Sequence, residues 1–248
     1  MRFLKDLVFD GVPVIFIAVP HRAYDAVRVE KEMTGRVKLL DVGFWTEEEL
    51  TEIALTGFHA LNISDELSIT SILAEESFKS PYLMQDFCKG LCRDLGISKT
   101  MPERLQLQDP PQGWPEFFKR RSSAASKTAF DRLARGPRQR TDRKARRRKD
   151  GTDVDIYGAT LAAIAHTGPL TSVTYEQLRS SFREVLASEV PQRHEITRVL
   201  EEMSKIARQH IPGEPIVDYD EEMSTLHISD PYFAYYLKWG PQGAVELN

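Results

Sequence analysis

The chain has 248 residues, 41% of them hydrophobic, and a formal net charge of −4. This composition is typical of a globular protein with one large core or two small ones, and the lack of any run of eighteen apolar residues argues against a transmembrane helix. Arg2 and Lys5 are followed by Asp6 and Asp10 without a small-residue cleavage site, so the sequence also argues against a signal peptide and favours the cytoplasm.

The first 97 residues contain patterns for both strands and helices. The apolar run in GVPVIFIAVP predicts a buried strand at 13–19, and VKLLDVG predicts a second short strand at 37–43. Thr46 followed by Glu49 is the pattern of a capping box, so a helix is expected to begin there with an apolar stripe of Leu50, Ile53, Ala54 and Leu61. Other helices are expected at 2–9, 65–76 and 80–95, with Gly96 ending the last.

The middle of the chain loses this periodicity. Residues 98–118 include QDPPQGWPEFF, whose prolines and glycine are typical of a connector. Residues 119–149, the basic segment, contain fourteen Lys or Arg and two acidic residues, so they carry +12 and the rest of the chain carries −16. We expect the basic segment to be mobile, with a partial helix around 125–135.

Periodic structure returns after residue 152. Helices are expected in DVDIYGATLAAIAHTG, from a cap at Thr174, and from Pro191 as a first helical residue. Two short strands, PIVDYD and TLHIS, follow, and then a final helix, DPYFAYYLKW, that packs through Phe233, Tyr236 and Leu237. Three helices and a hairpin in this order are typical of a winged helix-turn-helix domain.

The order of elements in residues 2–95 resembles the C-terminal half of the nucleotide-binding domain of AAA+ and STAND ATPases. The elements are a short helix, GVPVIFIAVP, a charged segment ending in Arg, VKLLDVG, and WTEEELTEIALTGFHAL, with a winged-helix extension at 153–239. The resemblance implies that His21 and Arg22 take the sensor 1 position, where Arg22 would polarise a γ-phosphate. It implies that Arg36 is an arginine finger toward a neighbouring subunit, and that Lys79 is the cation nearest to the sensor 2 position. The alternatives are that Arg22 pairs with Asp25 or Glu30 at the surface and that Arg36 is solvated.

Two motifs of that family are missing from this sequence. No Gly-Lys pair occurs, so the phosphate loop G-x-x-x-x-G-K-[ST] is absent, and no acidic Mg²⁺-binding strand is present. We interpret Asp41 as structural. We therefore expect a C-terminal portion of an ATPase, for which ATP and Mg²⁺ are cofactors only if the missing N-terminal half is supplied, and no cofactor for this chain alone. Whether the chain is an enzyme stays open.

Cationic side chains also make nucleic acid a candidate partner. The expected binding residues are Arg138, Arg140, Arg143, Lys144, Arg146, Arg147, Arg148 and Lys149 in the basic segment, and Arg193 and Arg198 in the third helix. The alternative is that the basic segment is a tether that contacts the acidic parts of the same chain. Asp218, Asp220, Glu221 and Glu222 on the hairpin would repel a phosphate backbone.

No spacing of Cys or His predicts a metal site. Cys88 and Cys92 are four residues apart and are interpreted as buried reduced thiols.

The sequence thus predicts a mostly α fold with minor β. A partial α/β ATPase core with a helical lid is expected at 1–97, a Pro-rich connector and flexible basic linker at 98–152, and a winged-helix domain at 153–248. The first functional hypothesis is the C-terminal portion of an AAA+/STAND-like ATPase, a nucleotide-dependent switch or regulatory module that is not ATPase-competent alone. The alternative is a winged-helix adaptor for nucleic acid or a partner protein. Expected partners are the missing ATPase half, a second copy or nucleic acid, and no membrane.

Overall fold

The computed structural model describes residues 9–15, 17, 38, 40, 42–122, 124–137 and 144–240. The chain divides into two compact units, Met1–Phe44 and Trp45–Asn248. The structure is 50% helix and 10% strand, which confirms the prediction of a mostly α fold with small sheets.

The described helices are α1 (Glu47–Ala60), α2 (Ile69–Glu75), α3 (Pro81–Asp94), α4 (Trp114–Lys119), α5 (Ala124–Arg135), α6 (Ile156–His166), α7 (Tyr175–Val185), α8 (Arg193–His210) and α9 (Pro231–Trp239). The strands are β1 (Ile63–Ser64), β2 (Leu105–Gln106), β3 (Arg146–Arg147), β4 (Asp153–Val154), β5 (Ser172–Thr174), β6 (Val217–Asp220) and β7 (Thr225–Ile228).

The described residues of the first unit do not form the predicted strands. Residues 12–15, 17, 38, 40 and 42–44 have no strand conformation, and Ile15 and Ile17 are 90% and 96% exposed. An extended segment becomes a core strand only when a neighbour pairs with its backbone and covers its apolar face, and the described residues supply no such neighbour. The predictions at 13–19 and 37–43 are therefore wrong for these residues. The remainder of both segments, and residues 2–8 of the helix predicted at 2–9, lie outside the described residues.

The first part of the second unit is a helical body made of α1–α4. As predicted, α1 begins with a capping box, in which the Thr46 hydroxyl accepts from the Glu49 N–H at 3.2 Å and the Glu49 carboxylate accepts from the Thr46 N–H at 2.8 Å. Helix α3 begins at the cap Ser80, and Gly96 follows its end with a φ of 71° that favours glycine. Strand β1 pairs in parallel with β2 and fixes residues 105–106 onto this body.

The second part is an α/β body made of α5–α9 and a three-stranded antiparallel sheet of order β5-β7-β6. Helix α7 begins at the predicted Thr174 cap, which Gln177 completes. Helix α8 begins at Arg193, two residues later than the predicted start at Pro191. The reason is that the Glu195 carboxylate accepts from the Gln192 N–H at 2.7 Å and so makes Gln192 the capping position.

The segment predicted as a connector and flexible linker contributes to both cores where the structure describes it. Helix α4 buries Phe117 and Phe118 in the helical body. Helix α5 confirms the partial helix predicted around 125–135, and it buries Ala129, Phe130 and Leu133 in the α/β body. These apolar positions recur at helical spacing, so α5 can pack one face while its cations stay in solvent. Residues 105–106, 114–119 and 124–135 are therefore not a linker.

Helix α9 contributes to both cores. Phe233, Tyr236 and Leu237 pack in the α/β body as predicted, whereas Tyr235 lies in the core of the helical body and donates a hydrogen bond to the Phe118 carbonyl. Beside it, the buried carboxylate of Glu76 accepts from the Lys238 ammonium and from the Trp239 indole N–H, each at 2.7 Å. The two bodies are thus joined through one helix.

Candidate nucleic-acid interface

Six of the expected site residues cannot be placed, because His21, Arg22, Arg36, Arg138, Arg140 and Arg143 lie outside the described residues. Lys79 is exposed, has a φ of 59°, and directly precedes the Ser80 cap of α3. The described part of the chain brings no other expected sensor or catalytic residue to Lys79, and the sequence contains no phosphate loop. Among the described residues, Lys79 therefore stands apart from any other residue expected to contact a nucleoside triphosphate.

The described cations at the end of the basic segment pair with carboxylates of the same chain. The nitrogen–oxygen distances are 3.9 Å for Lys144–Glu189, 2.8 Å for Arg146–Glu195, 2.9 Å for Arg147–Asp153, 2.8 Å for Arg148–Asp150 and 3.4 Å for Lys149–Glu184. Most of these pairs are exposed, so each contributes little to stability. They nevertheless lower the net positive potential that these residues present to a polyanion, as the tether alternative expects.

Arg146 differs from its neighbours because its side chain is only 4% exposed. Its guanidinium donates to a carboxylate oxygen of Glu195 at 2.8 Å and to the Glu189 carbonyl at 3.3 Å. The second oxygen of Glu195 accepts from the Gln192 N–H. Arg146 of strand β3 therefore contacts the first turn of α8, and the carboxylate of that turn is neutralised by a residue of the same chain.

The outward face of the N-terminal half of α8 carries cations. Arg193 and Arg198 are exposed. The Arg193 guanidinium lies 4.9 Å from the ring centroid of Tyr175 on α7, and it makes a long hydrogen bond of 3.5 Å to the Ser224 hydroxyl in the β6–β7 turn. Arg193 of α8 therefore contacts both α7 and the hairpin.

A cleft of about 420 Å³ opens beside Arg193, between the first turns of α7 and α8. Arg179 and Arg193 line it together with Tyr175, and Glu176 is the one carboxylate among the lining residues. The C-terminal half of α8 is different, because Arg208 pairs with Asp218 and Lys205 pairs with Glu202 at 3.6 Å. The cations available to a ligand are therefore concentrated at the N-terminal half.

The hairpin is less acidic at its surface than the sequence indicates. Asp218 is 4% exposed and is neutralised by Arg208, while Asp220 accepts from the Met223 N–H at 3.0 Å within the turn. The expected repulsion thus comes from Asp220, Glu221 and Glu222 rather than from four carboxylates. The hairpin tip is still less suited to phosphate than α8.

Tyr175 and Ser224 were not identified from the sequence as positioning residues. Ser224 is 31 residues from Arg193, and Glu195 is 49 residues from Arg146, so neither contact leaves a local pattern. The sequence signal that could have indicated these contacts is the predicted order of helices and hairpin, because a winged helix places the starts of α7 and α8 beside the β6–β7 turn.

Among the described residues, no cluster of three or more His, Cys, Asp or Glu side chains could hold a metal ion. Every helix in the described ranges is too short or too polar to span a lipid bilayer. Comparisons with protein-family models, curated proteins and solved structures found no match to this chain.

Proposed function

We propose that residues 153–239 are a winged helix-turn-helix domain that binds a nucleic-acid duplex through the N-terminal half of α8. The element order α6, β5, α7, α8, β6, β7 with a sheet of order β5-β7-β6 supports this assignment. In helix-turn-helix proteins the second helix of the pair lies in the major groove and contacts base edges with its N-terminal residues. Here that helix is α8.

One observation carries the proposal. Arg193 and Arg198 are exposed at the N-terminal half of α8, while the acidic residue of the first turn, Glu195, is neutralised by the buried Arg146. A phosphate backbone approaching this half therefore meets cations without a facing unpaired carboxylate in the first turn. Net positive charge at this position is what duplex binding requires, because phosphate contacts supply most of the affinity.

The two arginines are expected to have different tasks. Arg193 is held by Tyr175 and Ser224, so it suits a fixed phosphate contact. Arg198 makes no ion pair with another described residue, and its guanidinium fork is able to reach the acceptor edge of a guanine. A phosphate contact sets the orientation of the protein on the duplex, and a base contact sets the sequence preference.

The test is fluorescence anisotropy with a short labelled duplex over a range of salt concentrations. Arg193→Gln with Arg198→Gln is expected to flatten the slope of log K against log salt by about 0.9 for each lost phosphate contact. The matched control is Lys144→Gln with Lys149→Gln, which removes the same charge from exposed residues already paired with carboxylates. An equal loss in both variants would mean that binding follows net charge alone and would refute the proposal.

A second function is favoured by the junction at α9. The helical body and the winged-helix domain share this helix and the Glu76 contacts to Lys238 and Trp239, so a movement of one would be transmitted to the other. The junction supports a regulatory role, and from the resemblance of the sequence at 2–95 we propose that the chain is a C-terminal portion of an AAA+/STAND-like ATPase whose phosphate loop is supplied elsewhere. An in-frame G-x-x-x-x-G-K-[ST] upstream of Met1 in the coding sequence would support this function, and its absence there would count against it.

A further inference from the structure

A groove between α1 and α3 lies apart from the proposed nucleic-acid interface and does not depend on it. The groove has a volume of about 600 Å³ and none of its lining residues comes from 153–239. Apolar side chains form most of it, namely Ile53, Phe58, Leu61, Cys88, Cys92 and Ile97. Burial raises the pKa of the Cys88 thiol to about 12, so this sulfur stays protonated near neutral pH and behaves as an apolar lining atom.

The groove is elongated along both helices. Its lining positions extend from Ile53 to Leu61 on one wall and from Gln85 to Arg93 on the other. At 1.5 Å per residue, either wall runs for about 11–12 Å, which is the length of about eight residues of a helix. Gly57 is an exposed lining residue, and a Cβ added there would meet no atom within 4 Å. The absence of a side chain thus leaves room for a close approach by another backbone.

One edge of the groove is cationic. Lys89 and Arg93 are exposed and lie one turn apart on α3, and neither forms an ion pair with another described residue. No carboxylate is among the lining residues. An occupant with apolar groups toward the groove and carboxylates toward Lys89 and Arg93 would therefore be complementary in both respects.

We propose that this groove binds an amphipathic helix of a partner protein, with apolar side chains at i, i+4 and i+7 in the groove and acidic side chains against Lys89 and Arg93. This is the helix-in-groove mode, in which apolar anchors provide affinity and flanking charges select the partner. The two-turn length and the cationic edge favour a helix over a small apolar molecule, because such a molecule would neither span the groove nor pair with Lys89 and Arg93.

The test uses two labelled helical peptides that share leucines at i, i+4 and i+7 and differ only in having Glu or Lys beside them. Fluorescence anisotropy with the full chain is expected to show preference for the Glu peptide. Lys89→Glu with Arg93→Glu is expected to reverse the preference, with the Glu peptide weakened about 2- to 30-fold for two exposed ion pairs. Duplex binding is expected to be unchanged in this variant.

A second pair of variants separates groove occupancy from folding. Gly57→Leu is expected to fill the groove and abolish binding of the Glu peptide, while Gly57→Ala is expected to fold at least as well as the wild type and to retain most of the binding. Circular dichroism verifies the fold of both. Equal binding of the two peptides, or retention of the Glu peptide by a folded Gly57→Leu chain, would overturn the proposal. Binding of the apolar dye anilinonaphthalene sulfonate without binding of either peptide would also overturn it, in favour of a small-molecule site.

Discussion

Replacing Tyr235 by Ala is expected to destabilise both bodies of the second unit together. The Tyr235 side chain is 1% exposed, and its ring centroid lies 5.2 Å from that of Phe87 and 6.4 Å from that of Phe118. Truncating a buried aromatic side chain to Ala typically costs about 3–5 kcal/mol of unfolding free energy. Tyr235→Phe removes only the hydroxyl that donates to the Phe118 carbonyl, and about 1–3 kcal/mol is expected for the carbonyl left unpaired.

The measurement combines urea unfolding with amide hydrogen exchange. Tryptophan fluorescence reports on the helical body, because Trp114 and Trp239 both contact Phe118, and exchange in α8 reports on the α/β body. Both signals should lose stability by the same amount in Tyr235→Ala. The control is Met223→Ala at a residue that is 71% exposed, where a change within about 0.5 kcal/mol is expected. Unchanged protection of α8 alongside a weakened fluorescence transition would refute the coupling through α9.

Three further predictions concern single groups. Asp94 is subject to burial, which raises its pKa, but hydrogen bonds from Gln112 and Arg121 outweigh this effect and hold the pKa below its usual value. Because the pKa of Asp94 is lower in the folded than in the unfolded chain, its carboxylate stabilises the fold at pH values above the unfolded pKa of about 4. This stabilisation is lost at pH values below the folded pKa. The loss of unfolding free energy in Asp94→Asn, measured by urea titration, should therefore shrink as the pH falls from about 6 toward 3. Since burial raises the pKa of Cys88 to about 12, mass spectrometry should find it alkylated by iodoacetamide at pH 8 far more slowly in the folded chain than in urea, and equal rates would contradict its burial. Calorimetry of the 248-residue chain with ATP and Mg²⁺ should show no binding, and micromolar affinity would disprove that expectation.

Structural features that depend on residues close together in the chain were predicted correctly. The capping box at Thr46 and Glu49, the cap at Thr174, and the packing side of DPYFAYYLKW all depend on residues within one or two turns of each other. The pairing of the two hairpin strands likewise follows from a short connection. In each case the interaction that fixes the structure joins residues close in the chain.

Features that depend on distant residues were missed. The sequence predicts the partial helix around 125–135 but not its packing, because the core residues that cover Ala129, Phe130 and Leu133 lie in later helices of the chain. The neutralisation of Arg146 by Glu195 has no local signal at all, and it decides which part of the candidate interface remains cationic. The strand predicted at 13–19 failed in its described residues for a related reason, since an apolar run indicates burial without supplying a partner to bury it.

Because α9 completes both cores, the order of synthesis matters for how this chain folds. Helices α1–α4 end at Lys119, yet the aromatic side chain that completes their core is Tyr235. At typical translation rates of about 5–20 residues per second, the helical body would wait roughly 6 to 23 seconds with that position open. During this interval Phe87 and Phe118 lack their last partner, which makes the nascent chain a candidate for chaperone binding until residues 231–239 have been made.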